Sequence, residues 1–218
     1  MARLVARLTS IALFTPLIPA GAFAAQLKVQ VLDDDKHPVA NAVVAATPVE
    51  AHAAGKPRNE VIDQIDKEFV PPVKAIYVGS TVSFPNHDNI RHHVYSLSPA
   101  KTFQLPLYAG TSSKTVLFDK PGVVVLGCNI HDWMVGYVYV ADTPYFSMSG
   151  PDGSAALDNL PAGEYLVKVW HPRLVGGEDD DVRRLRIDAA ASAATWTIKL
   201  QPAFTPPRAH LPGAHGYQ

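Results

Sequence analysis

Residues 127–140 read GCNIHDWMVGYVYV, and they place three soft metal donors in one short loop. Cys128, His131 and Met134 lie within seven residues, between two apolar runs that are typical of adjacent strands. A thiolate, an imidazole and a thioether suit copper, because sulfur donors favour Cu(I) and imidazole binds both oxidation states. One loop of this length cannot surround an ion, so the segment predicts a further ligand, a histidine, from elsewhere in the chain.

The histidine candidates lie upstream, in residues 82–97, which read VSFPNHDNIRHHVYSL. His92 and His93 open a run that is typical of a strand, and His87 lies in the turn before it. Successive side chains of a strand point to opposite faces, so only one of His92 and His93 can face the loop of Cys128. We expect His87 and Asp88 to be solvated turn residues.

The two segments together resemble the cupredoxin family of type 1 blue copper proteins, in particular its plastocyanin and amicyanin members. The pattern F-x-N-x-x-x-x-x-H-x-V is carried by Phe84, Asn86, His92 and Val94, and C-x-x-H and M-V-G-x-V-x-V follow downstream. The resemblance covers about residues 69–141 and extends to the cupredoxin-type proteins named methylamine utilization proteins. It implies one copper ion, as Cu(I) or Cu(II), and a ligand set of His92, Cys128, His131 and axial Met134.

The resemblance also assigns roles to residues around the metal. In the family the histidine of the downstream loop reaches the surface through an apolar patch and acts as the electron port. That histidine corresponds to His131 here, and the patch would comprise Pro85, Trp133 and Val135. Trp133 is most simply a lid packed over the ligand loop, and further neighbours of the ligands are Asn86 and His93.

Two positions depart from the family pattern. His93 stands where many cupredoxins have an asparagine that ties the two ligand loops together, and Arg91 stands where plastocyanin has proline. Both departures bear on the rigidity of the loops and therefore on the reduction potential.

The composition of the whole chain predicts an all-β fold. Its 218 residues are 47% hydrophobic and 18% charged, which suffices for one or two compact domains. The 19 prolines and 14 glycines, with recurrent period-2 runs of β-branched residues, favour short strands joined by turns. We predict a cupredoxin Greek-key sandwich inserted in, or flanked by, a small second β-sandwich.

The flanking segments resemble a second known architecture. Residues 29–48, VQVLDDDKHPVANAVVAATP, and 151–170, PDGSAALDNLPAGEYLVKVW, are similar to the front and back of a carboxypeptidase-regulatory-like, transthyretin-type sandwich. We predict one discontinuous domain over 25–58 and 146–202, with residues 59–145 as an inserted copper domain. The alternative is a single larger sandwich. Trp170 and Trp196 are expected in the core of the outer sandwich, and His171 at a surface or turn position with no partner.

The sequence patterns at the two ends of the chain predict a signal peptide at the N-terminus and a disordered tail at the C-terminus. Residues 1–24 combine Arg3 and Arg7 with a short apolar run and small residues, the pattern of a cleavable secretory signal peptide. Residues 203–218 are rich in proline and offer no core, so we expect a disordered tail. No later stretch is long enough for a membrane helix. The mature protein is therefore expected in the periplasm or outside the cell.

These features favour a one-electron carrier, not an enzyme, because four protein ligands leave the metal no strong open position for a substrate. Its partners would be other periplasmic redox proteins, bound weakly and transiently. The 19 basic and 20 acidic residues give a net charge of −1. The composition therefore lacks the excess of basic residues that is typical of a protein that binds nucleic acid. The alternatives are a periplasmic copper carrier or store, and a β-sandwich binding module with a structural copper site.

Overall fold

The computed structural model describes residues 25–50, 54–110, 115–177, 179–188 and 192–203. The signal peptide predicted at 1–24 and residues 204–218 of the predicted tail lie outside these ranges. The described residues form strands and no helix, which confirms the predicted all-β fold. None of them belongs to a helix with the length and apolar character needed to cross a bilayer. The strands are β1 (Ala25–Leu32), β2 (Val43–Pro48), β3 (Asn59–Val61), β4 (Asp63–Ile65), β5 (Glu68–Val70), β6 (Val73–Tyr77), β7 (Thr81–Ser83), β8 (His92–Ser98), β9 (Lys101–Tyr108), β10 (Thr115–Leu117), β11 (Gly122–Gly127), β12 (Val135–Ala141), β13 (Phe146–Met148), β14 (Ser154–Leu160), β15 (Gly163–Trp170), β16 (Arg183–Ile187) and β17 (Ser192–Thr197).

The central part of the chain forms a β-sandwich, which we call the inner sandwich. A five-stranded sheet of order β6-β12-β11-β8-β9 and a three-stranded sheet of order β10-β7-β3 contribute to one hydrophobic core. The hairpin of β4 and β5 adds Phe69 to that core. Alternation along each strand explains the arrangement, since the apolar residues of one face meet those of the opposite sheet. The buried members include Val82, Val116, Val124 and Val138.

The two ends of the described chain form a second sandwich, which we call the outer sandwich. Its sheets have the orders β14-β1-β17 and β13-β2-β15-β16. Strand β1 pairs with β14 on one side and with β17 on the other, so residues before and after the inner sandwich share one sheet. Trp196 is fully buried in the core of the outer sandwich, as predicted. The division into two independent domains remains a prediction.

Both faces of β12 are buried, and this strand joins the two sandwiches. Val138 and Val140 point into the inner core, whereas Tyr139 and Ala141 point to the other side. There they pack with Trp170 and with alternate residues of β2 in a third hydrophobic cluster, the interface cluster. The rings of Tyr139 and Trp170 lie 5.6 Å apart, centroid to centroid.

Two predictions about the outer sandwich are wrong. Trp170 lies in the interface cluster and not in the outer core, because it alternates with Val169 and therefore points out of the sandwich. His171 does begin a turn, since its carbonyl accepts the N–H of Leu174 at 2.9 Å. It is half-buried, however, and it has a partner, since its Nδ1 accepts a hydrogen bond of 3.1 Å from the backbone N–H of Arg173. Burial, together with the charge of Arg173, lowers the pKa of His171 to about 4.

Candidate metal centre

Two neighbouring strands bring the predicted ligand loops together. β11 and β12 form an antiparallel hairpin in which Gly127 pairs with Val135, so residues 128–134 are its connecting loop. The loop is tightened by a hydrogen bond of 2.9 Å from the N–H of Met134 to the carbonyl of His131. β8 lies beside β11 through the pairing of Tyr95 with Gly127. The start of β8 therefore lies next to the loop.

Three of the predicted ligands converge at this point. One donor atom from each of His92, Cys128 and His131 lies within 4.8 Å of the other two. Nδ1 of His92 is 3.9 Å from Sγ of Cys128, and the rings of the two histidines are 5.0 Å apart in an edge-to-face arrangement. A thiolate and two imidazoles at this separation could hold one metal ion between them.

The His92 ring is fully buried and held at its far nitrogen. Nε2 lies 2.6 Å from Oδ2 of Asp88, and a carboxylate only accepts, so Nε2 carries the hydrogen. Nδ1 is then the nitrogen that faces Cys128. Burial alone would lower the pKa of His92, but the hydrogen bonds and charges of Cys128 and Asp88 outweigh it, and the pKa is raised.

The surroundings of Cys128 favour the thiolate form of its side chain. Burial alone would raise the pKa of the thiol, but contact with His92 and the backbone N–H groups of Ile130 and His93 lower it below its ordinary value. A thiolate is the form of cysteine that binds metals.

The second histidine, His131, has a ring nitrogen that is available to bind a metal. Its Nδ1 is buried and has no hydrogen-bond partner among the residues that the structure describes. Burial, with the positive charge of His92 next, lowers the pKa of His131, which favours the neutral ring. A buried, unpaired imidazole nitrogen beside a thiolate fits a copper ion, because these donors match its preference for sulfur and nitrogen.

Met134, the predicted axial ligand, is buried in the same hydrophobic cluster as Cys128. Its backbone is fixed by the hydrogen bond to His131 described above. The assignment of all four residues as ligands remains a prediction.

The other residues predicted around the metal take different positions. His93 points away from the three donors and stacks on Tyr95, with ring centroids 5.4 Å apart. Asn86 braces the upstream loop, since its Nδ2 donates to the carbonyls of Ile90 and Tyr108 at 2.9 and 3.0 Å. Trp133 packs on His131, ring centroid to ring centroid 5.1 Å.

Apolar side chains lie at the surface beside the site, next to the exposed polar residues Asn129 and Asp132 of the ligand loop. Ile130 and Val135 are 47% and 39% exposed, and Pro85 and Trp133 are partly buried. Val135 thus lies at the surface as the predicted patch requires, and Ile130 is an exposed apolar residue of the ligand loop that the prediction left out.

The sequence interpretation missed Asp88. It was expected to be a solvated turn residue, but its side chain is only 11% exposed and contacts His92. His87 is exposed as expected, and it pairs with Asp63 at 2.7 Å. The spacing of Asp88 four residues before a histidine that opens a strand is the signal that could have indicated this contact, since ligand histidines commonly bind a carboxylate at their other nitrogen.

Comparisons with known proteins give similarities to copper proteins over less than half of the chain. No family model matches the chain, and no curated protein does so. Among solved structures, a Cu-containing nitrite reductase from Thermus scotoductus is 28% identical over 44% of this chain and 26% of its own, with a TM-score of 0.38. This chain thus spans about a quarter of that enzyme's length. A purple cupredoxin from Nitrosopumilus maritimus is 26% identical over 38% of this chain and 99% of its own, with a TM-score of 0.34. An amicyanin variant is 19% identical over 45% of this chain and 98% of its own, with a TM-score of 0.35.

Proposed function

We propose that this protein is an exported one-electron carrier with a single copper ion at the inner sandwich. The proposal is carried by one observation, the convergence of Cys128 Sγ with the ring nitrogens of His92 and His131. Met134 would be the weak axial ligand. Copper, when bound, would supply the Cu(II)/Cu(I) couple.

The arrangement of the side chains supports electron transfer over catalysis. Cys128 and His92 are buried, so a substrate has no direct route to them. Thiolate, two imidazoles and a thioether also suit both oxidation states, which keeps rearrangement small when an electron arrives or leaves. A non-enzymatic role follows, because metal catalysis needs an open coordination position.

The exposed edge of the site supports transient partners. His131 is half-buried, and the apolar side chains of Ile130 and Val135 lie beside it at the surface. A small apolar patch suits weak, short-lived docking of another redox protein. We propose periplasmic redox proteins as partners, reached after export through residues 1–24.

The first experiment is the visible spectrum of residues 25–218 after addition of Cu(II), with Cys128→Ser as the matched control. We expect an intense thiolate-to-copper band that ascorbate bleaches and ferricyanide restores, and no band in the control, which should keep its β-rich circular dichroism. Absence of the band in the natural sequence would contradict the copper site.

A second measurement separates the electron carrier from a copper carrier or store. The reduced protein is mixed with a Cu(I) chelator, and copper release is followed over time. Donors from two separate segments would hold the ion between them, so we expect slow release. Rapid loss on reduction would favour delivery of copper, and retention without redox cycling would favour a structural ion in a binding module.

Export is tested by fractionation of cells that express the full chain or residues 25–218. We expect only the full chain in the periplasm, shortened by its leader. Retention of the full chain in the cytoplasm would contradict this part of the proposal.

A further inference from the structure

Asp88 connects the buried ligand candidate His92 to a separate hairpin. Its Oδ2 accepts the Nε2–H of His92 at 2.6 Å and the backbone N–H of Lys67 at 2.9 Å. Its Oδ1 accepts the backbone N–H of Asp66 at 2.6 Å. Three donors thus fix one carboxylate, and charge-assisted hydrogen bonds of this kind are stronger than neutral ones.

The two backbone donors lie in the turn between β4 and β5. Asp66 and Lys67 both have positive φ, 54° and 61°, as a two-residue hairpin turn of type I′ requires. In this conformation their successive N–H groups point toward the same carboxylate. Aspartate tolerates this conformation, but Lys67 is not a residue that such a turn favours, so the contact with Asp88 helps to hold the turn.

The same hairpin is fastened to the upstream ligand loop at two further points. Nε2 of Gln64, which is fully buried, donates to the carbonyls of Phe84 and Pro85 at 3.1 and 3.0 Å. The carboxylate of Asp63 contacts Nδ1 of His87 at 2.7 Å. The hairpin therefore cannot shift without moving the loop that carries Asp88.

We propose that Asp88, held by the β4–β5 turn, is a positioning residue that fixes the tautomer and orientation of His92 before any metal binds. In the neutral ring it holds the hydrogen on Nε2, so the lone pair is on Nδ1, the nitrogen that faces Cys128. Its consequence for copper rests on the function proposed above. A carboxylate on the distal nitrogen makes the imidazole a stronger donor, which favours Cu(II) over Cu(I).

The matched test compares Asp88→Asn with Asp63→Asn. Both replace a carboxylate that links the hairpin to the loop, but the partners of Asp63 are His87 and the N–H of Gln64. The metal-free proteins are first examined by long-range ¹H–¹⁵N NMR at a pH where the ring of His92 is neutral. We expect the Nε2–H tautomer in the natural sequence and in Asp63→Asn, and a mixture of tautomers in Asp88→Asn.

The copper-loaded proteins give the second readout. We expect Asp88→Asn to lower the affinity for Cu(II) by about 10–100-fold and to raise the reduction potential. Asp88→Glu, which keeps the charge, should recover part of the Cu(II) affinity and part of the change in reduction potential. Asp63→Asn should have the affinity and the potential of the natural sequence. If Asp88 had a purely structural role, Asp88→Asn and Asp63→Asn would change the affinity for Cu(II) alike. That result would overturn the proposal.

The failures of the two proposals can be told apart. If the natural sequence binds no copper, the proposed function fails while the NMR tautomer still decides the role of Asp88. If copper binds but metal-free His92 carries its hydrogen on Nδ1, the positioning role is overturned and the copper site stands. That measurement on the natural sequence also decides the matter if Asp88→Asn does not fold.

Discussion

Nδ1 of His92 lies 3.9 Å from Sγ of Cys128 although 36 residues separate them in the chain. The next residue, His93, points to the opposite side of β8 and stacks on Tyr95. The pleat of the strand enforces this division, since adjacent side chains leave a strand on opposite faces. Two neighbouring histidines of equal chemistry thus have unequal access to the site.

This pair gives the first prediction. We expect His92→Gln to abolish the thiolate-to-copper band, because one of two imidazole donors is lost, and His93→Gln to retain it. The two variants differ by one position on one strand, so each is the control for the other. Both are titrated with Cu(II) and followed by visible absorbance. A band that survives in His92→Gln and disappears in His93→Gln would transfer the ligand role to His93.

Spacing predicted the two loop donors, since Cys128 and His131 share one hairpin loop, and strand alternation predicted that only one of His92 and His93 can face that loop. The choice of His92 came from the resemblance to the cupredoxin pattern. The role of Asp88 could not be read in the same way. It depends on the N–H groups of Asp66 and Lys67, and nothing in the sequence of that turn shows which loop it will face.

Trp170 shows a different limit of the sequence. Its alternation with Val169 already placed it on the outward face of β15, together with Lys168. A lysine on the same face is typical of a solvated surface, so the pattern of β15 alone gives no sign of an element that covers the tryptophan. Its actual neighbour, Tyr139, lies on a strand of the other sandwich, and only the tertiary arrangement identifies it.

The second prediction concerns the axial position. We expect Met134→Gln to lower the reduction potential, because a soft thioether that favours Cu(I) is replaced by a hard amide oxygen. Burial of the amide should also lower the free energy of unfolding by about 1–3 kcal/mol. The control is Met148→Gln, at a partly buried methionine that packs against the interface cluster, which carries the same chemical change. Voltammetry measures the reduction potential of each variant. Equal potentials in the two variants would contradict the assignment of Met134 as a ligand.

The third prediction is a loss of stability in acid that depends on His171. The folded protein holds this ring neutral with a pKa of about 4, against an ordinary value of 6.5. Between these values the unfolded chain binds a proton that the folded chain does not, so stability falls as the pH decreases from 6.5 to 4. The full effect is at most about 3 kcal/mol.

His171→Asn tests this assignment, because its amide oxygen can still accept the N–H of Arg173 but does not titrate. We expect urea unfolding of metal-free protein to show a smaller decrease in stability between pH 6.5 and pH 4 for the variant. His92 and Cys128 titrate in both proteins, so their contribution cancels in the difference. Parallel pH profiles would show that another group causes the loss.

The fourth prediction concerns residues 59–145 expressed alone. This segment contains all four predicted ligands and both inner sheets, so we expect it to fold and to give the same thiolate-to-copper band as the longer chain. It lacks Trp170, however, and therefore exposes the face of β12 that carries Tyr139 and Ala141. Exposed apolar sheet faces promote association, so we expect self-association and a lower thermal midpoint.

Two adjacent substitutions in the isolated segment separate the faces of β12. Tyr139→Thr removes an aromatic ring from the exposed interface, so we expect less self-association and an unchanged copper band. Val138→Thr buries a hydroxyl in the inner core, so it should lower the midpoint further without reducing association. Sedimentation and thermal melts measure both effects. If the segment does not fold at all while residues 25–218 do, the two sandwiches form one cooperative unit, because the inner sheets then depend on the interface between β12 and Trp170.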